Sequence, residues 1–542
     1  MRKMMMIGLS FLFAGSALLA GCMNNDSDAI SKNVKQQKLR LNLTSGEPTS
    51  LDPAKAFDGN SMEVVNNLFE GLMRLDKNHQ PQPASAKTIE KSQDGLTYTF
   101  TLRDDLLWSN GEPVTAQDFE VAWKRVMDPN MASSAASLMN PIKNAQAYNE
   151  GKAKAEDVGV KAKNVNTLVV TLEQPTPYFE QLTAYTPFMP VYSKGIKKEK
   201  HPFSKGKSYV SNGPFMMKAW KHDDRIIAVK NEKYHDAKNV SLEEIDWGMN
   251  KDRATVYQQY QAGEMNYIDS TSIPPDLLGK LIEKGDATVS DGGGVDFYRL
   301  NVKKKPFTNA KIRKAFSLAI DRQTIVDQVV QGRQQIALAY VSPGTMTHSG
   351  DFRKDGKVAY LSDHDGQQAK KLLKEGMKEE GITKLPKVEI LFSQDEKNRK
   401  VAEVIQEMWH KYLGANVTLK AQEAKVFLNN RTRGNYMVAR SSFLPDYNDP
   451  YNYLESFQTN HPMNQTGWSD KEYDALLHGA YTAKNEARRM ELLHRAEEVL
   501  MDQMPVIPLY YYNNIEMKKS TVHGVLSHPT GPRDYRFAEI KG

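Results

Sequence analysis

The 542-residue chain has a single cysteine, Cys22, so no disulfide can hold its fold. After residue 21 it contains no long apolar run, and nothing later reads as a membrane span. It lacks H-E-x-x-H, G-x-S-x-G and a Walker A phosphate loop. Its twelve histidines are scattered. The nearest pair, His523 and His528, has no cysteine or acidic residue beside it to complete a metal site. His364 lies between Asp363 and Asp365, but neighbours in sequence rarely converge on one metal. Glu243-Glu244 sits in a charged segment and reads as a solvated face. No basic stripe exists: the net charge is +6, or +4 without Arg2 and Lys3, and lysine and glutamate are interspersed. These absences give no support to an enzyme, a metal or cofactor carrier, or a nucleic-acid binder.

What the sequence does contain begins at its start. Met1-Arg2-Lys3 is a short positive segment, and Met4 to Ala20 is apolar and small. That stretch is short for a spanning helix and is followed at once by Asn24-Asn25-Asp26-Ser27-Asp28. It reads as a secretory signal over 1–21. Leu19-Ala20-Gly21-Cys22 resembles the lipobox of bacterial lipoproteins. The resemblance implies cleavage before Cys22 and a diacylglyceryl thioether on its sulfur, and two acyl chains suffice for stable anchoring. Plain secretion is the alternative, and it leaves Cys22 without a purpose. The polar, aperiodic segment 22–37 reads as a flexible tether. The protein is thus expected at the extracytoplasmic face of the cell membrane.

The rest is globular in composition, at 40% hydrophobic and 25% charged, and too long for one core. Leu39, Leu41 and Leu43 alternate with polar residues as in a strand, as do Tyr98, Phe100 and Leu102. Thr115 with Asp118 is a capping-box variant opening a helix whose apolar face is Phe119, Ala122, Trp123 and Val126. Thr176-Pro177 places proline at the first position of another helix. Arg253 to Ala262 is helical with Gly263 as C-cap, and Asn309 to Val330 is helical. From Lys387 the pattern is strand (Val388 to Phe392), helix (Lys397 to Leu413), strand (Val417 to Leu419), which signals α/β units. Glu486 to Met504 is a long amphipathic helix.

An ordered set of short segments then carries a resemblance. Trp108-Ser109-Asn110-Gly111-Glu112-Pro113-Val114-Thr115-Ala116-Gln117-Asp118-Phe119 is similar to the hallmark of the extracellular solute-binding family 5, the oligopeptide- and dipeptide-binding proteins. Ser50-Leu51-Asp52-Pro53, Leu68-Phe69-Glu70-Gly71-Leu72 and Ser211-Asn212-Gly213-Pro214-Phe215 fit the same family. So do Pro306-Phe307, Ile312-Arg313-Lys314-Ala315, Asp446-Tyr447-Asn448-Asp449-Pro450 and Thr466-Gly467-Trp468. Locally the first segment is a hairpin turn and a capped helix, a fold signature that touches no ligand. The resemblance implies an α/β, type II periplasmic-binding-protein-like fold with two ligand-enclosing lobes and an extra domain. Lobe I is expected from 38–69, 205–297 and 513–542, the extra domain II from 70–204 and lobe III from 298–512, with crossings near Tyr298 and Asn513. It also implies capture of di- to oligopeptides for the permease and ATPase subunits of an ABC importer, by a monomer.

A general peptide binder must hold what all peptides share: backbone amides, the α-ammonium and the carboxylate. Extended backbone is held by strand addition, and a buried ammonium needs a carboxylate. Asp446 sits where the family places the aspartate that pairs with the ligand's amine; without the resemblance, an Asx cap is the simpler reading. Arg440 also matches a family position. It is expected to neutralise Asp446 in an empty site, to reach a short peptide's carboxylate, or to serve only in an ion pair. Ser442 and Leu444 would offer main-chain groups, and Phe443 a pocket wall. Two departures stand out. Glu423-Ala424 replaces a Glu-Trp, which widens the site, and Asn398 replaces a histidine that meets the carboxylate in relatives. The alternatives are a binder of another solute or a signalling peptide in the same fold, or an exported peptidase.

Overall fold

The computed structural model describes residues 37–542 apart from 44–45, 199–201, 205–207, 348–349 and 358. Cys22, the signal and nearly all of the expected tether lie outside the described residues. Alternation sets the first strand, β1 (Lys38–Asn42), with Leu39 and Leu41 buried. Next come β2 (Ala86–Lys91), β3 (Thr97–Leu102), α1 (Ala116–Met127), β4 (Val160–Asn164) and β5 (Thr167–Thr171). The strands form an antiparallel sheet in the order β2-β3-β5-β4. Tyr98, Phe100 and Leu102 point into its core, as the alternation requires. The Thr115 capping box forms as expected, with Asp118 accepting from the Thr115 N–H at 2.9 Å and from the Trp108 indole at 3.2 Å. Gly111 makes the preceding turn at φ +87°.

β6 (Phe215–Lys221), β7 (Arg225–Lys230) and β8 (Glu244–Gly248) return to β1, giving the order β1-β8-β7-β6 with β1 parallel to β8. A larger sheet follows. It joins β9 (Tyr267–Asp269), β10 (Thr288–Leu300), β11 (Val388–Ser393), β12 (Val417–Gln422), β13 (Val438–Phe443) and β14 (Val506–Lys518) in the order β9-β14-β10-β13-β11-β12. The expected strand–helix–strand run is present: β11 and β12 are parallel, joined by a helix that starts at Glu396 and ends at Leu413.

The expected helix 309–330 is interrupted. It runs over Ala310–Leu318, and a new helical segment begins at Arg322. Asp321 breaks it by accepting from the Thr324 N–H at 2.8 Å, an N-cap within the apolar run. The helix opened by Thr176-Pro177 is short, Phe179–Leu182. Among the described residues, no helix is long and apolar enough to cross a membrane.

The long strands β10 and β14 pair along most of their length, but the ladder breaks between Asp291 and Val295. Three glycines occupy the break. Gly294 has φ +120°, and a Cβ there would collide with the Phe443 carbonyl oxygen. This break brings the end of β13 against the point where the two longest strands stop pairing.

Candidate functional site

The site grows from the last residues of β13. Its register with β10 sets Ser442 opposite Asp296, Arg440 opposite Tyr298 and Phe443 opposite Val295. Directly opposed residues share a face, so Arg440 and Asp296 lie on one side of the sheet and Phe443 on the other. Phe443 packs on Tyr453 and Tyr340, with ring centroids 5.0 and 6.4 Å away, and is buried. Its neighbour Leu444 is 67% exposed and is the apolar side chain free to meet a ligand.

Asp446 follows directly. The cap of the next helix, α2 as counted from the site (Pro450–Glu455), is Asp449, which accepts from the Tyr451 N–H at 2.8 Å. Asp449 is in turn paired with Arg489 at 2.5 Å. The Asx-cap role therefore belongs to Asp449, and the Asp446 carboxylate is left without a cation. Its backbone N–H donates to Asn452 Oδ1 at 2.8 Å, which fixes the loop. Loss of water around it raises its carboxyl above the ordinary value.

Arg440 does not neutralise Asp446. Its Nη2 meets Asp296 Oδ2 and the Tyr512 hydroxyl, the latter at 3.2 Å. The reason is the register: Asp296 is delivered to the same face by the adjacent strand, whereas Asp446 lies beyond the strand's end. Burial opposes the Arg440 charge, but Asp296 outweighs it and holds the guanidinium above its ordinary value. Asn398 is buried at the start of its helix, donating to Ser393 Oγ at 2.9 Å.

Sequence reading missed several groups here. Lys397 lies over the Tyr510 ring, 5.4 Å from its centroid, and burial lowers its pKa, with Arg440 adding to that and Asp296 opposing it. On the Phe443 side of the sheet Arg299 is fully buried and donates to Ser441 Oγ at 3.0 Å and the Met463 carbonyl at 2.9 Å. Arg431 reaches Gln465 Oε1 at 3.0 Å, and burial with the Arg299 and Arg440 charges pushes it down to about 10. Neither has a carboxylate partner among the described ion pairs. No single sequence signal marks these cations, because their neighbours come from strands far apart in the chain. The arrangement offers a carboxylate with no cation among the described residues, the exposed Leu444 near it and, farther along, cations with no carboxylate partner among the described ion pairs. No described group of three or more His, Cys, Asp or Glu side chains could hold a metal.

Comparison with known proteins shows the family and the fold. A family model described as bacterial extracellular solute-binding proteins, family 5 Middle, matches residues 80–465. The dipeptide-binding protein DppE of Bacillus subtilis is 41% identical over 534 residues, covering 98% of this chain and 97% of DppE. Among solved structures, the unliganded open form of the murein tripeptide-binding protein MppA superposes with a TM-score of 0.81 at 30% identity, covering 93% of this chain and 98% of that one. Peptide-bound OppA of Listeria monocytogenes superposes with a TM-score of 0.73 at 31% identity, covering 94% and 100%. The α/β, type II periplasmic-binding-protein-like fold expected from the resemblance is the fold observed.

Proposed function

The chain belongs to the bacterial extracellular solute-binding proteins of family 5, which are not enzymes, and we propose that it captures peptides by their charged amino terminus and delivers them to the permease of an ABC importer. The observation that carries this is Asp446: a carboxylate with no cation among the described residues, just past the end of a strand and two residues from the exposed Leu444. An α-ammonium supplies the missing charge, and the backbone at Ser442 and Leu444 supplies strand-type hydrogen bonds to any sequence. The names of DppE and of peptide-bound OppA support peptide as the ligand class. Arg431 and Lys397 are cations able to receive the far carboxylate, replacing the histidine lost at Asn398.

In this reading, residues 38–69, 205–297 and 513–542 form one lobe, 298–512 the facing lobe and 70–204 a third domain, and the protein acts as a monomer. The lobes close over the peptide about the glycine-bearing break in the β10–β14 ladder. The better superposition on an unliganded open form supports an open resting state. Small-angle scattering then shows a smaller radius of gyration when the protein is saturated with a peptide it retains from a mixed pool. An unchanged radius counts against closure.

Anchoring is proposed through Cys22. A Cys22→Ser chain stays unprocessed and fractionates without thioether lipid, read by mass spectrometry of its N-terminal peptide. Recovery of that variant as a diacylated, membrane-bound chain refutes the lipobox reading.

A further inference from the structure

The buried carboxylates among the described residues each have a cation or a cap, and the half-buried Glu455 stands apart from them; Asp52 meets Arg125 and Asp246 meets Lys38 and Arg225. Glu63 meets Arg533, Glu70 meets His235, Asp296 meets Arg440, Asp449 meets Arg489, Glu497 meets Arg353 and Asp534 meets Arg74. Asp118 instead caps α1. Glu455, the last residue of the Pro450–Glu455 helix, meets no cation. One of its oxygens, Oε1, accepts from the Tyr447 hydroxyl and from Asn452 Nδ2, both at 3.1 Å. The same Asn452 amide accepts the Asp446 N–H through its oxygen. One side chain therefore joins the Glu455 carboxylate to the backbone of Asp446.

We propose that Glu455 is the second carboxylate of the ammonium pocket, a positioning residue that holds a proton while the pocket is empty and releases it to solvent when the ligand's amine arrives. This rests on the reading of Asp446 as the amine partner. The surroundings contain no positive charge that could do the ligand's work. The Asp446 loop brings Asp446, Tyr447 and Asp449, and Asp449 already holds Arg489. Tyr178 stacks on Tyr447 at 4.4 Å and lies 6.0 Å from Tyr451, and Tyr481 stands 5.4 Å from Tyr451. Burial, with the charges of Asp446 and Asp449, pushes Glu455 up to about 7 against the opposing hydrogen bonds from Asn452 and Tyr447. The charges of Asp446 and Asp449 oppose ionisation of Glu455, and an incoming ammonium removes that obstacle.

The sign follows. In the empty protein the carboxyl is protonated below about pH 7; in the complex it is ionised, so binding expels a proton and affinity rises with pH up to that point. The α-amine has a pKa of roughly 8 and stays charged throughout the acid side of this window.

The test is calorimetry of trialanine binding between about pH 6 and pH 7, in two buffers of different ionisation enthalpy, for the wild type and Glu455→Gln. The wild type releases a proton that approaches one per peptide near pH 6, and its affinity falls by up to about tenfold per pH unit on acidification. Glu455→Gln, which keeps an acceptor for Tyr447 and Asn452, releases none and has a flat profile. Wild-type binding without proton release, or release that persists in Glu455→Gln, overturns the role of Glu455 while leaving the amine reading intact. If N-acetyl-trialanine binds as tightly as trialanine, both fall together. Should Glu455→Gln fail to fold, the wild-type proton count still decides.

Discussion

Asp446→Ala weakens binding of a free-amine peptide by roughly two to three orders of magnitude, and calorimetry measures it directly. In the empty site the Asp446 carboxyl has no cation among the described residues, and desolvation holds it above its ordinary value. Lobe closure removes what water remains around both it and the peptide's ammonium. Deleting the carboxylate leaves that ammonium enclosed and unpaired, which costs about 3–5 kcal/mol by comparison with broken buried pairs. An N-acetylated peptide carries no such charge, so it binds the wild type poorly and distinguishes little between wild type and variant. The four combinations form a double-mutant cycle. A coupling energy near zero removes Asp446 from the amine site, even if the variant binds weakly through a general disturbance. Asp446→Asn separates shape from charge: it keeps the loop's size and loses the same affinity.

The elements legible in the sequence were those whose cause is local. Leu39 and Leu41 alternate, Thr115 and Asp118 close a capping box three residues apart, and Gly263 ends a helix at φ +79°. The break at Asp321 was not legible, because Ile320, Ile325 and Val326 are all buried and continue the apolar pattern through it. A cap that competes with a helix interior is decided by tertiary packing. Asp446 could be singled out only through a resemblance, since a turn rich in Asp and Asn has a simpler local reading. Which aspartate caps was settled by geometry, and it is Asp449. The partner of Arg440 was beyond reach for another reason. Asp296 lies 144 residues away and arrives through strand register, a property of the assembled sheet. Glu455 escaped notice because its significance is negative: like Asp446 it has no cation among the described residues, and that shows only once the other pairs are known.

The largest stability effect falls on one of those pairs. Glu497, on the helix Glu486–Gln503, is completely buried. Its Oε1 accepts the N–H groups of Tyr340 and Val341 at 2.9 and 2.8 Å, while Oε2 meets Arg353. Tyr340 packs on Phe297, Phe443, Tyr453 and Phe457, so this carboxylate pins the segment that backs the end of β13. Glu497→Ala strands the Arg353 guanidinium and orphans two backbone donors, and denaturant unfolding shows a loss of about 3–5 kcal/mol. Glu497→Gln keeps an oxygen for both N–H groups and loses only the charge, so its cost isolates the ion pair. Adding Arg353→Met to Glu497→Gln removes the stranded cation and recovers much of that cost, since replacing both partners of a buried pair is far milder than removing one. Unfolding of Glu497→Gln within about 1 kcal/mol of wild type, with no recovery in the double variant, shows that the pair is not coupled. The contrast with the binding site sharpens the point. Glu497 touches no ligand, so the folded fraction of Glu497→Gln keeps peptide affinity within about tenfold of wild type, whereas Asp446→Ala loses affinity and leaves stability nearly unchanged because its carboxylate has no partner in the empty protein.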